Sequence, residues 1–308
     1  MLKRCLSLFL VLLCVCTLFS ACGNGQTGFP ENIMQKSDPA QDDELNILMI
    51  GNSHCYYYVE ELCGMLTAAG YKNVNVCNVY YSGCTLQQHY IWWKSGNANY
   101  EYFTTNNTGC NSVKNVNLEY CLKQRNWDVI SLQEANVPIR QLGVERQLEL
   151  TRKYLTDLWG YLKEQFPASR YLWQQTLSLQ IGYIADGYKV DTPEQQKAEA
   201  QLIKEYSSAV CKDYNLERVP TGDAWQIVRE SGYDNLCARL SINNGEGDYI
   251  HEGDIGGGQF LSACVWFEII TGKSCVGNSY TPDYGMLVEM STLQEAAHKA
   301  VSLMASSK

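Results

Sequence analysis

The sequence predicts an α/β fold, a three-layer α/β/α sandwich around a central parallel sheet of about five strands. Three observations lead there. Strand-like apolar runs alternate with helical patterns along most of the chain, the order that parallel strands with crossover helices produce. About 265 residues carry that pattern, enough for one large domain with a substantial core. Finally, the Gly51-Asn52-Ser53 segment sits at the end of the apolar run Ile47-Leu48-Met49-Ile50. The carboxyl ends of strands are where open α/β sheets bind ligands.

The elements follow in order. Leu45 to Ile50 is the first strand and Val59 to Ala69 the helix after it. Val74 to Tyr80 is the second strand, ending at Ser82-Gly83, and Asp128 to Leu132 the third. An amphipathic helix runs from about Val144 to Gln165, with Leu148, Leu155, Leu158 and Leu162 near helical spacing, and stops before Pro167. Arg170 to Gln174 is the fourth strand. Thr192-Pro193-Glu194-Gln195 reads as a capping box that starts a helix reaching Tyr214. Glu217 to Pro220 is a short fifth strand, Asp223 to Arg229 and Ile255 to Thr271 are helices, and Ser291-Thr292-Leu293-Gln294 caps the last helix. Ser95 to Val116, rich in Asn, Thr and Gly, is expected to be a long loop pinned through Cys110, and Asp234 to Gly247 a second irregular stretch. There is no internal repeat.

Residues 1–22 read as a leader rather than as part of the fold. Lys3 and Arg4 precede an apolar run from Leu6 to Phe19, too short for a comfortable membrane span. Ser20-Ala21-Cys22 then resembles the bacterial lipoprotein signal, in which the cysteine is acylated and becomes the new N-terminus. Phe19 departs from that pattern, where leucine is usual. Ordinary secretory cleavage and an uncleaved anchor are the other readings, and all three imply export. Residues 23–43 carry too little apolar content to fold and read as a tether, leaving 44–308 as the domain. The expected location is the extracytoplasmic side of the cell membrane, held there only by a lipid at Cys22.

Without Lys3 and Arg4, 22 basic side chains face 33 acidic ones, a net of −11. That balance argues against nucleic acid and against an electrostatic hold on anionic lipid. Ten of the 14 cysteines belong to the domain, which permits up to five disulfides of unreadable connectivity, with buried free thiols as the alternative. No Cys/His cluster has zinc-ligand spacing. The 21 tyrosines and 7 tryptophans suit stacking on sugar faces, and core packing accounts for most of them equally well.

The chemistry rests on two distant segments. Ser53 at a strand end supplies a hydroxyl, although a serine there is also an ordinary helix cap. Asp248-Tyr249-Ile250-His251 supplies an imidazole and, three residues before it, a carboxylate to orient the ring. Of the four histidines, His298 reads as a surface residue and His54 as pointing away from Ser53, while His89 is the reserve base.

Together these blocks resemble the SGNH, or GDSL-type, hydrolases over residues 45 to 275. Ile47 to Ser53 looks like the first block, with Gly-Asn-Ser in place of the commoner Gly-Asp-Ser. Ser82-Gly83 looks like the second, Asp248 to His251 matches the last, and Leu132-Gln133-Glu134 is similar to an uncharacterised bacterial branch. The resemblance implies a flavodoxin-like fold and a Ser53-His251-Asp248 acyl-transfer mechanism. The amides of Ser53 and Gly83 would hold the oxyanion together with Gln133. One block departs: typical members carry Gly-x-Asn-Asp where this chain has Ser131-Leu132-Gln133-Glu134-Ala135-Asn136. The sialate and acetylxylan esterase branches use a Gln-Gly-Glu segment there, which favours Gln133, with Asn136 the runner-up. Glu134 is left as an anchor behind the site or a partner for an arginine. No metal or organic cofactor is needed. The expected substrate is a small acyl ester, acetyl foremost, on carbohydrate. A lipid or simple carboxylic ester is the second enzyme reading. A glycan-binding surface lipoprotein without turnover is the alternative of another class.

Overall fold

The computed structural model describes residues 44–185 and 188–306, apart from the side chains of residues 136–138 and 185. The leader, the tether and Cys22 lie outside them. Among the described residues, β7 (Ile184–Ala185) and β8 (Tyr188–Lys189) form a small two-stranded sheet, and seven strands form a larger one. The larger sheet runs in the order β4 (Gly109–Val116), β3 (Tyr100–Asn106), β2 (Val74–Tyr80), β1 (Leu45–Gly51), β5 (Val129–Leu132), β6 (Arg170–Gln174), β9 (Glu217–Val219). Its parallel part is β2, β1, β5, β6 and β9. These are the five strands read from the sequence. Order reverses beside β1, which pairs with β2 on one side and β5 on the other, so the crevice for a ligand lies above the carboxyl ends of these strands.

β1 shows why the sheet is covered on both faces. Ile47 and Met49 enter one apolar cluster, Leu48 and Ile50 the other, and all four are at most 1 % exposed. The first cluster is closed by α1 (Val59–Ala68), α6 (Thr221–Glu230), α7 (Gly258–Thr271) and α8 (Met290–Ala305). The second is closed by α2 (Leu86–Ser95), α3 (Leu118–Leu122), α4 (Asn136–Gln165) and α5 (Pro193–Tyr214). A layer of helices therefore sits on each face. α7 is buried almost all round, as a helix apolar on every side must be.

Four expectations are corrected. Ser95 to Val116 is no loop: β3 (Tyr100–Asn106) and β4 (Gly109–Val116) form an antiparallel hairpin that extends the sheet beyond β2. Tyr100 and Tyr102 point into the core, whereas β4 is exposed along nearly all its length, which explains its polar composition. Cys110 pins nothing; it is an exposed thiol, and among the described residues no cysteine is in a disulfide. α4 begins at Asn136, but Gly143 breaks its helical geometry, so regular helix resumes at the expected Val144. Ser291 is not the cap of α8, because the carbonyl of Glu289 already accepts the first helical hydrogen bond, from Leu293. At α5 the Thr192 hydroxyl accepts from the Gln195 amide, while the Gln195 side chain reaches past it to the amide of Asp191.

Candidate active site

β1 ends at Gly51 and the chain turns at once into a single 3-10 turn, Ser53–Cys55. Gly51 leaves room for its neighbours: a Cβ there would lie 2.7 Å from Gln133 Oε1 and displace that side chain. Asn52 shapes the turn. Its Nδ2 donates to the Cys84 carbonyl at 3.0 Å, and its Oδ1 accepts from the His54 amide at 3.1 Å and from Gln133 Nε2 at 2.7 Å. One buried carboxamide thus ties together the ends of β1 and β5 and the turn after β2.

Above this turn the two distant segments meet. Ser53 Oγ lies 2.7 Å from His251 Nε2, and His251 Nδ1 lies 2.6 Å from Asp248 Oδ2. The other carboxylate oxygen, Asp248 Oδ1, accepts the amides of Ile250 at 3.1 Å and His251 at 2.9 Å. Partial burial alone would raise the Asp248 carboxyl, but the hydrogen bond and charge of His251 and the two amides outweigh it, holding it well below the usual carboxylate range. The loop curls this tightly because Tyr249 adopts a left-handed backbone, φ 65°, and its carbonyl accepts the Gln180 amide at 3.0 Å from the segment after β6. The His251 side chain is 20 % exposed, so it is open to solvent on the side away from the sheet.

The remaining candidates fall as follows. Gly83 sits in the exposed turn between β2 and α2 with φ 66°, on the segment that Asn52 grips through Cys84. Gln133 is buried directly after β5 and one of its amide protons is engaged by Asn52. Asn136 opens α4, and its side chain lies outside the described residues. Glu134 is an anchor with no arginine: Oε1 accepts the amides of Leu86 at 3.1 Å and Ala135 at 2.8 Å, and Oε2 accepts Gln147 Nε2 at 2.9 Å. Burial pushes it up to about 7 against those bonds. His89 is fully buried with Nδ1 2.9 Å from the Tyr100 hydroxyl, and burial pushes it down to about 4, so it serves the core. His298 is exposed beside Glu268. Cys55 lies at the turn, but burial pushes its thiol up to about 12, which removes it as a nucleophile.

Two neighbours escaped the sequence reading, Tyr57 and Arg239. The Tyr57 ring lies 5.0 Å from that of His251, and Arg239 holds its guanidinium 4.1 Å over Tyr57. His54, read as pointing away from Ser53, places its ring 5.3 Å from that of His251. Nothing in the sequence marks Arg239.

Comparison with one solved protein supports this architecture. The chain is similar to a solved DUF4886 family protein from Bacteroides uniformis, at 24 % identity and a TM-score of 0.73, covering 85 % of this chain and 96 % of that one. It is also similar to a GDSL-like lipase from Bacteroides thetaiotaomicron, at 9 % identity and TM-score 0.40 over 74 % and 88 % of the two chains. An acetyl xylan esterase matches at 12 % identity and TM-score 0.42 over 71 % and 98 %. No curated protein matches the sequence. Residues 46–300 match the family described as "Domain of unknown function (DUF4886)", and the chain belongs to that family.

Proposed function

We propose that this chain is a serine esterase that hydrolyses small acyl esters, acetyl esters foremost, through an acyl-enzyme on Ser53. The observation that carries the reading is the unbroken run of hydrogen bonds from Ser53 Oγ through the His251 ring to Asp248. An alcohol of ordinary high pKa attacks at neutral pH only with a base in hydrogen-bond reach. His251 Nε2 takes the Ser53 proton as Oγ attacks the ester carbonyl. Asp248 holds the tautomer with the proton on Nδ1 and stabilises the imidazolium that forms. The oxyanion is received by the amides of Ser53 and Gly83 and by the second amide proton of Gln133. Each well-placed donor of this kind is worth roughly 10²–10³ in rate. His251 then protonates the leaving alcohol, and the same nitrogen deprotonates the water that clears the acyl group.

The acceptor is an uncharged carbohydrate. Rings continue outward from Tyr57 to Tyr56 at 5.5 Å, and from Tyr56 to Phe103 at 4.7 Å and Tyr80 at 5.3 Å. Arg239 already covers the Tyr57 ring, and the half-buried neutral rings of Tyr56, Tyr80 and Phe103 beyond it suit a sugar face. Acting on environmental or wall glycan agrees with an exported chain tethered through a lipid at Cys22.

The test is hydrolysis of a short-chain chromogenic acetyl ester by the intact domain and by Ser53→Ala, with fluorophosphonate labelling read by mass spectrometry. Turnover and labelling at Ser53 are expected, with both lost in Ser53→Ala and labelling lost in His251→Ala. Robust hydrolysis surviving in Ser53→Ala would sink the serine mechanism. Glycan binding with no hydrolysis at all would point instead to a binding protein on the same scaffold.

A further inference from the structure

Directly after the nucleophile and directly after the base come two more ionisable residues, His54 and Glu252, and the fold brings this second pair together behind the first. His54 Nδ1 and Glu252 Oε2 are 4.0 Å apart, with side chains 7 % and 0 % exposed. Among the described residues, neither His54 Nδ1 nor either carboxyl oxygen of Glu252 has a hydrogen-bond partner. Both backbones are tightly held. The His54 carbonyl accepts Gln174 Nε2 and the Glu252 carbonyl accepts Arg239 Nη2, at 2.5 and 2.6 Å. Leaving three buried polar atoms unpaired costs about 1–3 kcal/mol each, so a pair facing itself at this distance calls for a purpose. Closing about 1 Å by side-chain rotation would bring it to hydrogen-bond length.

We propose that Glu252 is a second carboxylate for His251, acting through the His54 ring that lies against it, and that its ionisation raises turnover at alkaline pH. The inference rests on the esterase reading. As a neutral acid, Glu252 donates its proton to His54 Nδ1, and His54 carries its own proton on Nε2. On ionisation the Glu252 proton leaves to solvent. His54 stays neutral by carrying its single ring proton on Nδ1, donating it to the carboxylate. A buried negative charge then stands behind the imidazolium that forms on His251 in the transition state, and the low-dielectric surroundings make that attraction strong.

The groups around Glu252 leave it free to act this way. Facing it are His54, Cys55, Tyr58, Cys237, Asp248 and Arg239. Burial pushes Cys55, Tyr58 and Cys237 far up, and Asp248 is held low, so none of these changes charge between pH 6 and 10. His54 is pushed down to about 3 by burial, then by the charges of His251 and Arg140, against Asp248. Glu252 is raised to about 8 by burial, with Asp248 adding and its own backbone amide and Arg239 opposing. Within that ring of six neighbours, Glu252 is the group that switches in the working range.

The experiment is the pH profile of kcat on a short-chain chromogenic acetyl ester from pH 5.5 to 10, for the intact domain, Glu252→Gln and His54→Phe. The native profile is expected to rise through a second inflection near pH 8. The ratio of native to Glu252→Gln activity should grow roughly tenfold between pH 7 and pH 9.5. His54→Phe, which keeps a ring against His251 but no Nδ1, should flatten the same rise. A purely structural Glu252 would scale the whole profile and leave its shape intact, and that result overturns the proposal, as does an alkaline inflection persisting in Glu252→Gln. Histidine ring NMR supplies an arm without turnover: the His251 nitrogens should report a titration near pH 8 that Glu252→Gln abolishes. No ester hydrolysis with that titration present would fail the esterase reading alone, and hydrolysis with no such titration would fail the inference alone.

Discussion

Ser53 owes its position to Asn52, and the reason is chemical. Asn52 donates to one carbonyl and accepts from two donors at a buried site. A carboxamide does both, whereas an ionised carboxylate only accepts. Asn52→Asp keeps the acceptor and loses the donor, setting a carboxylate oxygen against the Cys84 carbonyl. That change should lower stability by about 1–3 kcal/mol, read as a lower urea midpoint at unchanged slope. Through Nδ2, Asn52 grips the turn after β2. Asp248→Asn keeps an oxygen for the amides of Ile250 and His251 but loses the charge that favours the native state. The urea midpoint should therefore fall modestly while kcat falls by roughly 10³–10⁴, since an amide favours the wrong imidazole tautomer. Activity within tenfold of the native protein would remove Asp248 from the mechanism. The types and spacing of Ser53, Asp248 and His251 were legible in the sequence. The contacts of Asn52 with Cys84 and Gln133 were not, because those residues lie 32 and 81 positions along the chain.

At the scale of elements, the irregular chain between α6 and α7 decides whether His251 reaches Ser53. Its course is set by backbone lying on backbone. A Cβ at Gly247, where φ is +82°, would sit 1.8 Å from the Cys237 carbonyl oxygen. Gly247 immediately precedes Asp248, so Gly247→Ala should displace the carboxylate. We expect at least a tenfold loss of kcat/KM and a lowered urea midpoint, with the sheet retained by circular dichroism. Gly277→Ala is the control: it has the same φ of +82° with nothing within 4 Å, and should cost only about 1–2 kcal/mol of backbone strain with activity unchanged. Equal effects of the two substitutions would show that strain, and not collision, governs the loop. The hairpin of β3 and β4 illustrates the opposite case. β4 lies at the edge with its residues exposed, so it needs no apolar alternation, and a strand without that pattern reads as a loop.

For the whole molecule, buried ionisable groups set the response to pH. Burial raises Glu61 and Glu134 to about 7 and Glu252 to about 8 from 4.5. Between pH 4.5 and these values the native state keeps protons that the unfolded chain has released, so stability falls as pH rises through that window. Burial lowers His54 to about 3 and His89 to about 4 from 6.5. Below 6.5 the unfolded chain binds protons that the native state refuses, so stability falls as pH drops. Asp248, held low, adds to the loss at the acid end. Thermal unfolding should therefore peak between pH 4.5 and 6.5 and decline toward pH 8, and Glu252→Gln should shallow the alkaline decline. A Tm that climbs steadily from pH 5 to 8 would contradict this account.

The sequence by itself determined the α/β class, the five parallel strands and the residue types of the site. Those are carried by local signals: apolar runs such as Ile47 to Ile50, breaks such as Pro167, and a serine and an Asp-x-x-His at fixed spacing. Only the tertiary structure decided that residues 198 apart in sequence share a hydrogen bond, that His89 belongs to the core, and that His54 and Glu252 face one another behind His251. The physical reason is that burial and backbone contact are properties of neighbours in space. A histidine's charge or a glutamate's proton depends on what surrounds it after folding, and no local pattern encodes those surroundings.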